Sequence, residues 1–148
     1  MGTSAPPVLI CFDGSPDAVR AISVAGGLFN GRRAILLYVS PATEAKRVHT
    51  TATHQLRQEL LEEVRLAARR DAEAIADKGV RLASTAGLRP SPLVIDESGS
   101  LADTVVRAAA QTSSAAILVA GPHRRGHLQE RHLAHRLIDA STLPVVVV

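Results

Sequence analysis

One basic, glycine-bracketed segment has the residue types needed to bind an anion. Residues 121–128 read G-P-H-R-R-G-H-L and connect an apolar run to a helical pattern. Glycines let the backbone approach a phosphate closely, and a helix N-terminus offers unpaired N–H groups. The adjacent pair Arg124 and Arg125 adds positive charge. This combination predicts a site for a phosphate or a similar anion.

The common glycine-rich nucleotide motifs do not match the chain. A Walker A loop ends in Gly-Lys-Ser or Gly-Lys-Thr, and residues 121–128 lack that ending. A G-x-G-x-x-G fingerprint follows the first strand, where this sequence has Asp13, Gly14 and Ser15 instead. An anion would therefore be held by a different arrangement.

Histidines are concentrated in the same region. Four of the six are His123, His127, His132 and His135. The last two are three residues apart on a predicted helix and share a face. A metal site needs three or more converging ligands with supporting acids. We expect solvated polar residues here, and no metal except the Mg²⁺ that accompanies ATP.

The composition excludes several classes of protein. The 148 residues correspond to one domain, and 46% apolar content supplies a core. Two Phe, one Tyr and no Trp exclude an aromatic platform and argue against a nucleic-acid reader. The single cysteine, Cys11, excludes an internal disulfide and is expected in the core. Ser15 is expected to cap a helix, and with no G-x-S-x-G elbow, nucleophilic catalysis is not expected.

The net charge of +3 is local. Residues 121–136 contain four arginines and one glutamate, which account for all of it. The basic character therefore belongs to the candidate anion site and is not a general nucleic-acid signature.

No targeting segment or long apolar run is visible in the sequence. We expect a cytoplasmic protein without membrane contact. Residues 1–6 are expected to be a disordered lead-in to a single domain over residues 7–148.

Strand and helix patterns alternate along the chain. Apolar runs predict strands at Val8–Phe12, Ala34–Val39, Leu88–Ile95, Ala115–Ala120 and Val145–Val148. Helical spacing covers about 16–29, 53–77, 101–109 and 128–139, with Gly79 expected to end the second helix. Pro90 and Pro92 predict an edge position for the third strand. Ser15 and Ser100 are expected to cap the first and third helices.

This alternation predicts an α/β, doubly wound fold in which a parallel sheet is covered by helices on both faces. In such folds a ligand binds beyond the carboxyl ends of the strands. The segments that follow strands 1 to 4 are therefore the ones in which to look for a site.

Four pieces of the sequence resemble a known family. They are Asp13-Gly14-Ser15, Leu37-Tyr38-Val39, Val119-Ala120-Gly121 and the last nine residues, 140–148. Together and in order they resemble a single-domain universal stress protein (UspA-like) over about residues 7–148. The resemblance implies a three-layer sandwich of the adenine-nucleotide alpha-hydrolase-like type, with strand order 3-2-1-4-5. It also implies a homodimer, often formed by pairing of the last strands, here Val145–Val148.

The family's ATP-binding members carry G-x-x-G-x(9)-G-Ser/Thr after the fourth strand. Here Gly121 matches the first glycine, and Gly126 matches a glycine common inside the motif. Arg124 and Ala134 replace the second and third glycines, and His135 replaces the hydroxyl residue. The resemblance therefore implies that the part of the site that would bind the phosphates has lost most of its motif residues.

At the other end of the site the family pattern is retained. Asp13, followed by Gly14, matches the position that meets ribose, and Val39 matches the position that meets adenine. Arg124 and Arg125 could still grip a phosphate, because a guanidinium binds phosphate with two hydrogen bonds. The candidate site residues are Asp13, Gly14, Val39, Gly121, Arg124, Arg125, Gly126 and His135.

Three functions remain open from the sequence. The first is a non-catalytic regulatory domain of the stress response with weak or absent nucleotide binding. The second is a genuine ATP-binding member, with at most slow ATP hydrolysis. The third is a homodimeric interaction module whose cleft holds no ligand.

Overall fold

In the computed structural model, residues 4–41, 53–121 and 128–148 are described, with backbone only for 128–132. The strands are β1 Val8–Cys11, β2 Arg33–Ser40, β3 Arg89–Asp96, β4 Ala116–Val119 and β5 Val145–Val147. The helices are α1 Pro16–Leu28, α2 His54–Thr85, α3 Leu101–Gln111 and α4 Leu128–Ala140. None of the helices within these ranges is both long and apolar enough to span a membrane.

The five strands form one parallel sheet in the order β3-β2-β1-β4-β5. This confirms the doubly wound α/β fold and the strand order expected from the resemblance. β3 lies at an edge, as its prolines predict, and Pro90 pairs with Ala34. The central strand β1 has only four residues, whereas its neighbour β2 has eight.

Two apolar cores cover the two faces of the sheet. One joins β1, β2 and β4 to α1 and α2 through residues such as Ile10, Ile22 and Ala83. The other joins the opposite faces of those strands to α3 and α4 through residues such as Ile117 and Leu137. The result is the three-layer sandwich.

The second helix does not end where the sequence pattern predicts. α2 continues through Gly79 to Thr85. A Cβ at Gly79 would lie 2.7 Å from Cδ1 of Phe12, whose ring is buried. Gly79 is therefore required for close packing, and Gly87, with φ +91°, follows the actual helix end.

The predicted helix caps are confirmed. Ser15 Oγ accepts a hydrogen bond from the Ala18 N–H at 3.2 Å, and Pro16 occupies the first turn of α1. Ser100 Oγ accepts from the Asp103 N–H at 3.1 Å and donates to the Asp103 carboxylate at 2.7 Å. Both caps fix helices that begin at the carboxyl edge of the sheet.

Candidate functional site

A cavity of about 300 Å³ opens at the carboxyl edge of the sheet, where parallel folds bind ligands. It lies beyond β1, β2 and β4 and against the first turns of α1 and α3. Its wall is mainly apolar, with a few polar groups, which is typical of small-molecule sites. The lining residues are Cys11, Phe12, Asp13, Ser15, Ala18, Leu37, Tyr38, Val39, Leu101, Val105, Val119, Ala120 and Leu133.

Asp13 is held in a defined position at this opening. Its Oδ1 accepts a hydrogen bond from the Ser15 N–H at 2.9 Å, and the residue is exposed. Gly14, between them, has φ +83°, a conformation that L side chains rarely adopt. The turn thus directs a carboxylate toward the cavity, where hydroxyl groups of a ligand could donate to it.

Val39 presents backbone groups to the cavity. The Leu37 C=O accepts from the Phe12 N–H at 2.9 Å, on the β1 side of β2. The Ser40 C=O accepts from the Glu97 N–H at 2.9 Å, on the β3 side. Because successive residues of a strand alternate in direction, the Val39 N–H and C=O point to the β1 side.

On that side the sheet has ended. β1 stops at Cys11, which is level with Leu37. The sequence pattern places the end of β1 one residue later, at Phe12. The early end leaves the Val39 N–H and C=O facing the cavity as an adjacent donor and acceptor.

Cys11 packs against the second core, as expected, and also lies on the cavity wall. Burial of the thiol, with a smaller contribution from the negative charge of Asp13, raises the pKa of Cys11 to about 12. The residue is therefore a neutral thiol near pH 7 and a poor nucleophile.

This raised pKa predicts a loss of stability in alkali. The Cys11 contribution is fully present below the ordinary pKa of 9 and is lost as the pH rises toward 12, because the unfolded chain releases the proton first. We expect the urea midpoint of the native chain to fall more steeply between pH 9 and 12 than that of Cys11→Ala. Parallel curves would contradict the raised pKa.

The first glycine of the family motif is occupied by protein contacts. The Gly121 N–H donates to the Val148 C=O at 2.6 Å. A Cβ at Gly121 would lie 3.0 Å from Cγ1 of Val147. A larger residue here would press on β5, and the Gly121 N–H is not available to a phosphate.

Ala134 and His135 lie inside α4 instead of at its start. They are the seventh and eighth residues of a helix that begins at Leu128. Only the first four N–H groups of a helix lack helical partners, so both backbone amides are used within α4. Ala134 is buried in the second core, and the His135 side chain is exposed. Neither residue lines the cavity.

The structure brings together part of the predicted site. Asp13 and Val39 line the cavity, and Gly14 forms the turn beside it. Gly121 and His135 are described but do not line it. The remaining candidates, Arg124, Arg125 and Gly126, lie outside the described residues, as do His123 and His127. Within the described ranges, no group of three or more His, Cys, Asp or Glu side chains could hold a metal ion.

Sequence reasoning missed the wall that α3 contributes. Leu101 and Val105 line the cavity one helical turn apart. Their spacing predicts an apolar helix face, but which face meets the cavity depends on how α3 crosses the sheet. The Ser100 cap, directly before Leu101, is the one local signal that α3 begins at this edge.

Comparisons with known proteins agree with this architecture. A model of the Universal stress protein family matches residues 6–148. Comparison with curated proteins finds none that matches. The solved structures that are similar include a universal stress protein family member from Burkholderia pseudomallei. It is 20% identical, the match covers 100% of this chain and 98% of that one, and the TM-score is 0.65.

Two further similar structures contain nucleotides. The universal stress protein from Archaeoglobus fulgidus in complex with dAMP is 14% identical, over 98% of each chain, with a TM-score of 0.66. A universal stress protein in complex with cAMP is 16% identical, over 99% of this chain and 98% of that one, with a TM-score of 0.60. Because the sequence identities of these structures are only 14–20%, the comparisons establish the fold of this chain.

Proposed function

The chain belongs to the universal stress protein family, and on that premise we propose a non-catalytic regulatory domain of the stress response. Its cavity receives the adenine and ribose end of a nucleotide and contributes little to holding the phosphates. Nucleotide binding is accordingly weak or absent. The proposal keeps the cytoplasmic location expected from the sequence.

The observation that carries this proposal is that three backbone N–H groups of the family's phosphate-binding motif are already hydrogen-bonded within the protein. Gly121, Ala134 and His135 occupy positions where the family's ATP binders have glycine, glycine and a hydroxyl residue. The Gly121 N–H is bonded to Val148, and the other two lie in the interior of α4. None of the three is free to bind a phosphate oxygen.

The part of the cavity beside Val39 and Asp13 favours adenine over other bases. Val39 offers an N–H donor beside a C=O acceptor, which complements the acceptor N1 and donor N6 of adenine. Guanine has a donor and an acceptor in the reverse order on the same edge. Asp13 could accept hydrogen bonds from ribose hydroxyls. The dAMP and cAMP complexes of similar proteins are consistent with an adenine ligand.

Calorimetry with adenosine, ATP and guanosine tests the proposal. We expect adenosine and ATP to bind with affinities within about threefold of one another. A hydrogen bond to a charged phosphate would favour ATP by roughly 1.5–3 kcal/mol, and the three motif amides make no such bond. Guanosine is expected not to bind. Absorbance at 260 and 280 nm of the purified protein is a sensitive companion, since one Tyr and no Trp give little background.

The second candidate, a genuine ATP binder with at most slow hydrolysis, is favoured by the four arginines in residues 121–136. ATP binding at least tenfold tighter than adenosine would support it and contradict the first proposal. If none of the three ligands binds, the regulatory domain without nucleotide binding and the third candidate, a ligand-free interaction module, are the ones to retain.

The homodimer expected from the resemblance is part of the proposal. β5 is an edge strand, which is a natural template for a second chain. Pro144 C=O accepts from the Ile117 N–H, and the Val148 N–H donates to Val119 C=O. Because directions alternate, the N–H groups of Val145 and Val147 point away from β4, toward the open edge.

Val147→Pro is expected to weaken this dimer by at least about tenfold, because proline removes one of the two outward donors and leaves the β4 ladder intact. Val147→Thr keeps the N–H and the strand propensity, and is the matched control. Sedimentation equilibrium measures both. An unchanged dissociation constant in a folded Val147→Pro chain would show that the last strands are not the contact.

A further inference from the structure

The leading half of α2, residues 54–71, is poorly covered by the rest of the described chain. Four of its 18 residues are half-buried and the others are exposed, whereas the later half buries Ala72, Ala76, Gly79 and Ala83. Its N-cap, Thr53, makes no side-chain capping bond. Most helical stability in proteins comes from tertiary packing of an apolar face, so a partner that covers this half would stabilise it.

Apolar side chains on the leading half point to such a partner. Leu56 and Leu66 are 48% and 49% exposed. A groove of about 700 Å³ runs beside Leu66, between the leading half and the ends of β2 and β3. Apolar residues on its wall include Leu61, Val64, Val94 and Ile95. Glu62, Arg65, Arg69, Glu73 and Asp96 also line the groove, so it combines apolar and charged groups, as protein–protein contacts do.

The charges on the leading half identify the partner. Residues 58–63 contain three acids and no base: Glu59, Glu62 and Glu63. Residues 65–70 contain three bases and no acid: Arg65, Arg69 and Arg70. The two blocks are placed symmetrically about Val64, with centres about 10 Å apart at 1.5 Å per residue.

A helix with this charge order is complementary to itself in the antiparallel direction. A two-fold axis near Val64 brings the acidic block of one copy opposite the basic block of the other. A uniformly acidic or basic partner would match one block and be repelled by the other. Two-fold contacts use the same patch on both copies, which this charge order satisfies.

We propose that the leading half of α2 is an interface for a second copy of this chain, packed antiparallel about Val64. Each copy places its exposed Leu66 against the groove of the other, and the acidic and basic blocks pair across the axis. This interface is separate from the edge of β5. A chain that uses both assembles beyond a dimer.

Charge reversal tests the proposal at exposed positions, and because Arg69 also pairs with Glu73 at 3.2 Å, circular dichroism checks that each variant keeps its helix content. One variant carries Glu59→Arg, Glu62→Arg and Glu63→Arg, and a second carries Arg65→Glu, Arg69→Glu and Arg70→Glu. Light scattering after size exclusion, in about 50 mM salt where screening is weak, gives the mass. We expect each variant alone to have half the mass of the native assembly, with dissociation at least about 100-fold easier.

Mixing the two variants is the decisive step. One has only basic blocks and the other only acidic blocks, so an equimolar mixture is expected to recover the native mass. A control for the location of the charges reverses three exposed charges of the later half, with Asp77→Arg, Lys78→Glu and Arg81→Glu, and is expected to keep the native mass. Repeating the charge-reversal variants, their mixture and the control in a chain that also carries Val147→Pro separates the α2 interface from the β5 interface.

Two results would overturn the proposal. One is a native mass retained by both charge-reversal variants. The other is a mixture that stays at the mass of its components. Either would mean that another part of this chain or a different partner covers the leading half of α2.

Discussion

Gly26→Ala is expected to lower the free energy of unfolding by about 1–3 kcal/mol, the range typical of an overpacked core. Gly26 is buried where α1 crosses the end of α2. A Cβ there would overlap the carbonyl oxygen of Ala86 and lie 2.7 Å from its Cβ. Backbone atoms cannot swing aside as a flexible side chain can, so the two helices would have to separate.

The neighbouring glycine provides a matched control. Gly27 lies in the same helix, and a Cβ there meets nothing within 4 Å. Gly27→Ala is expected to raise the free energy of unfolding by roughly 0.5–1 kcal/mol, through helix propensity alone. Urea denaturation of both variants measures the difference. Equal effects from the two substitutions would contradict the close contact at Gly26.

The second large effect is a gain of ATP binding. The variant Arg124→Gly with Ala134→Gly and His135→Ser is expected to bind ATP at least about tenfold more tightly than the native chain. Glycine in place of Ala134 weakens the first turns of α4, and serine at 135 is a good N-cap. α4 can then begin later and free its amides. One regained bond to a charged phosphate contributes roughly 1.5–3 kcal/mol.

Adenosine affinity is the internal control for this variant, because the base end is unaltered. It is expected to stay unchanged while ATP affinity rises, and calorimetry measures both. If ATP gains nothing, the obstruction lies outside these three positions. Arg124→Ala alone separates the roles of the arginine. A loss of ATP affinity in that variant would show that Arg124 grips phosphate in the native chain.

The fold was readable from the sequence because its signals are local and repeated. Apolar runs gave the five strands, and Ser15 and Ser100 marked helix starts where the structure has them. The predicted helix end at Gly79 is wrong because a glycine can either end a helix or admit a close neighbour. Which one applies depends on Phe12, 67 residues away along the chain.

The site was only partly readable for a related reason. Asp13 and Val39 were predicted through family resemblance, and both line the cavity. The direction of the Val39 amide could not be predicted, because it depends on β1 ending one residue early beside a longer β2. The positions of Ala134 and His135 within α4 follow from the start of that helix at Leu128, which agrees with the helical spacing but not with the family motif, where the same positions carry glycine and a hydroxyl residue.

The outward-facing donor and acceptor at Val39 belong to the main chain, and this affects how the protein can change over evolutionary time. Any residue at position 39 other than proline presents the same N–H and C=O, so side-chain drift there leaves the recognition chemistry intact. Altering it requires lengthening β1 or shifting its register against β2, which would disturb the centre of the sheet. The groups that this end offers are therefore buffered against point mutation, whereas motif positions such as 135 depend on which side chain occupies them.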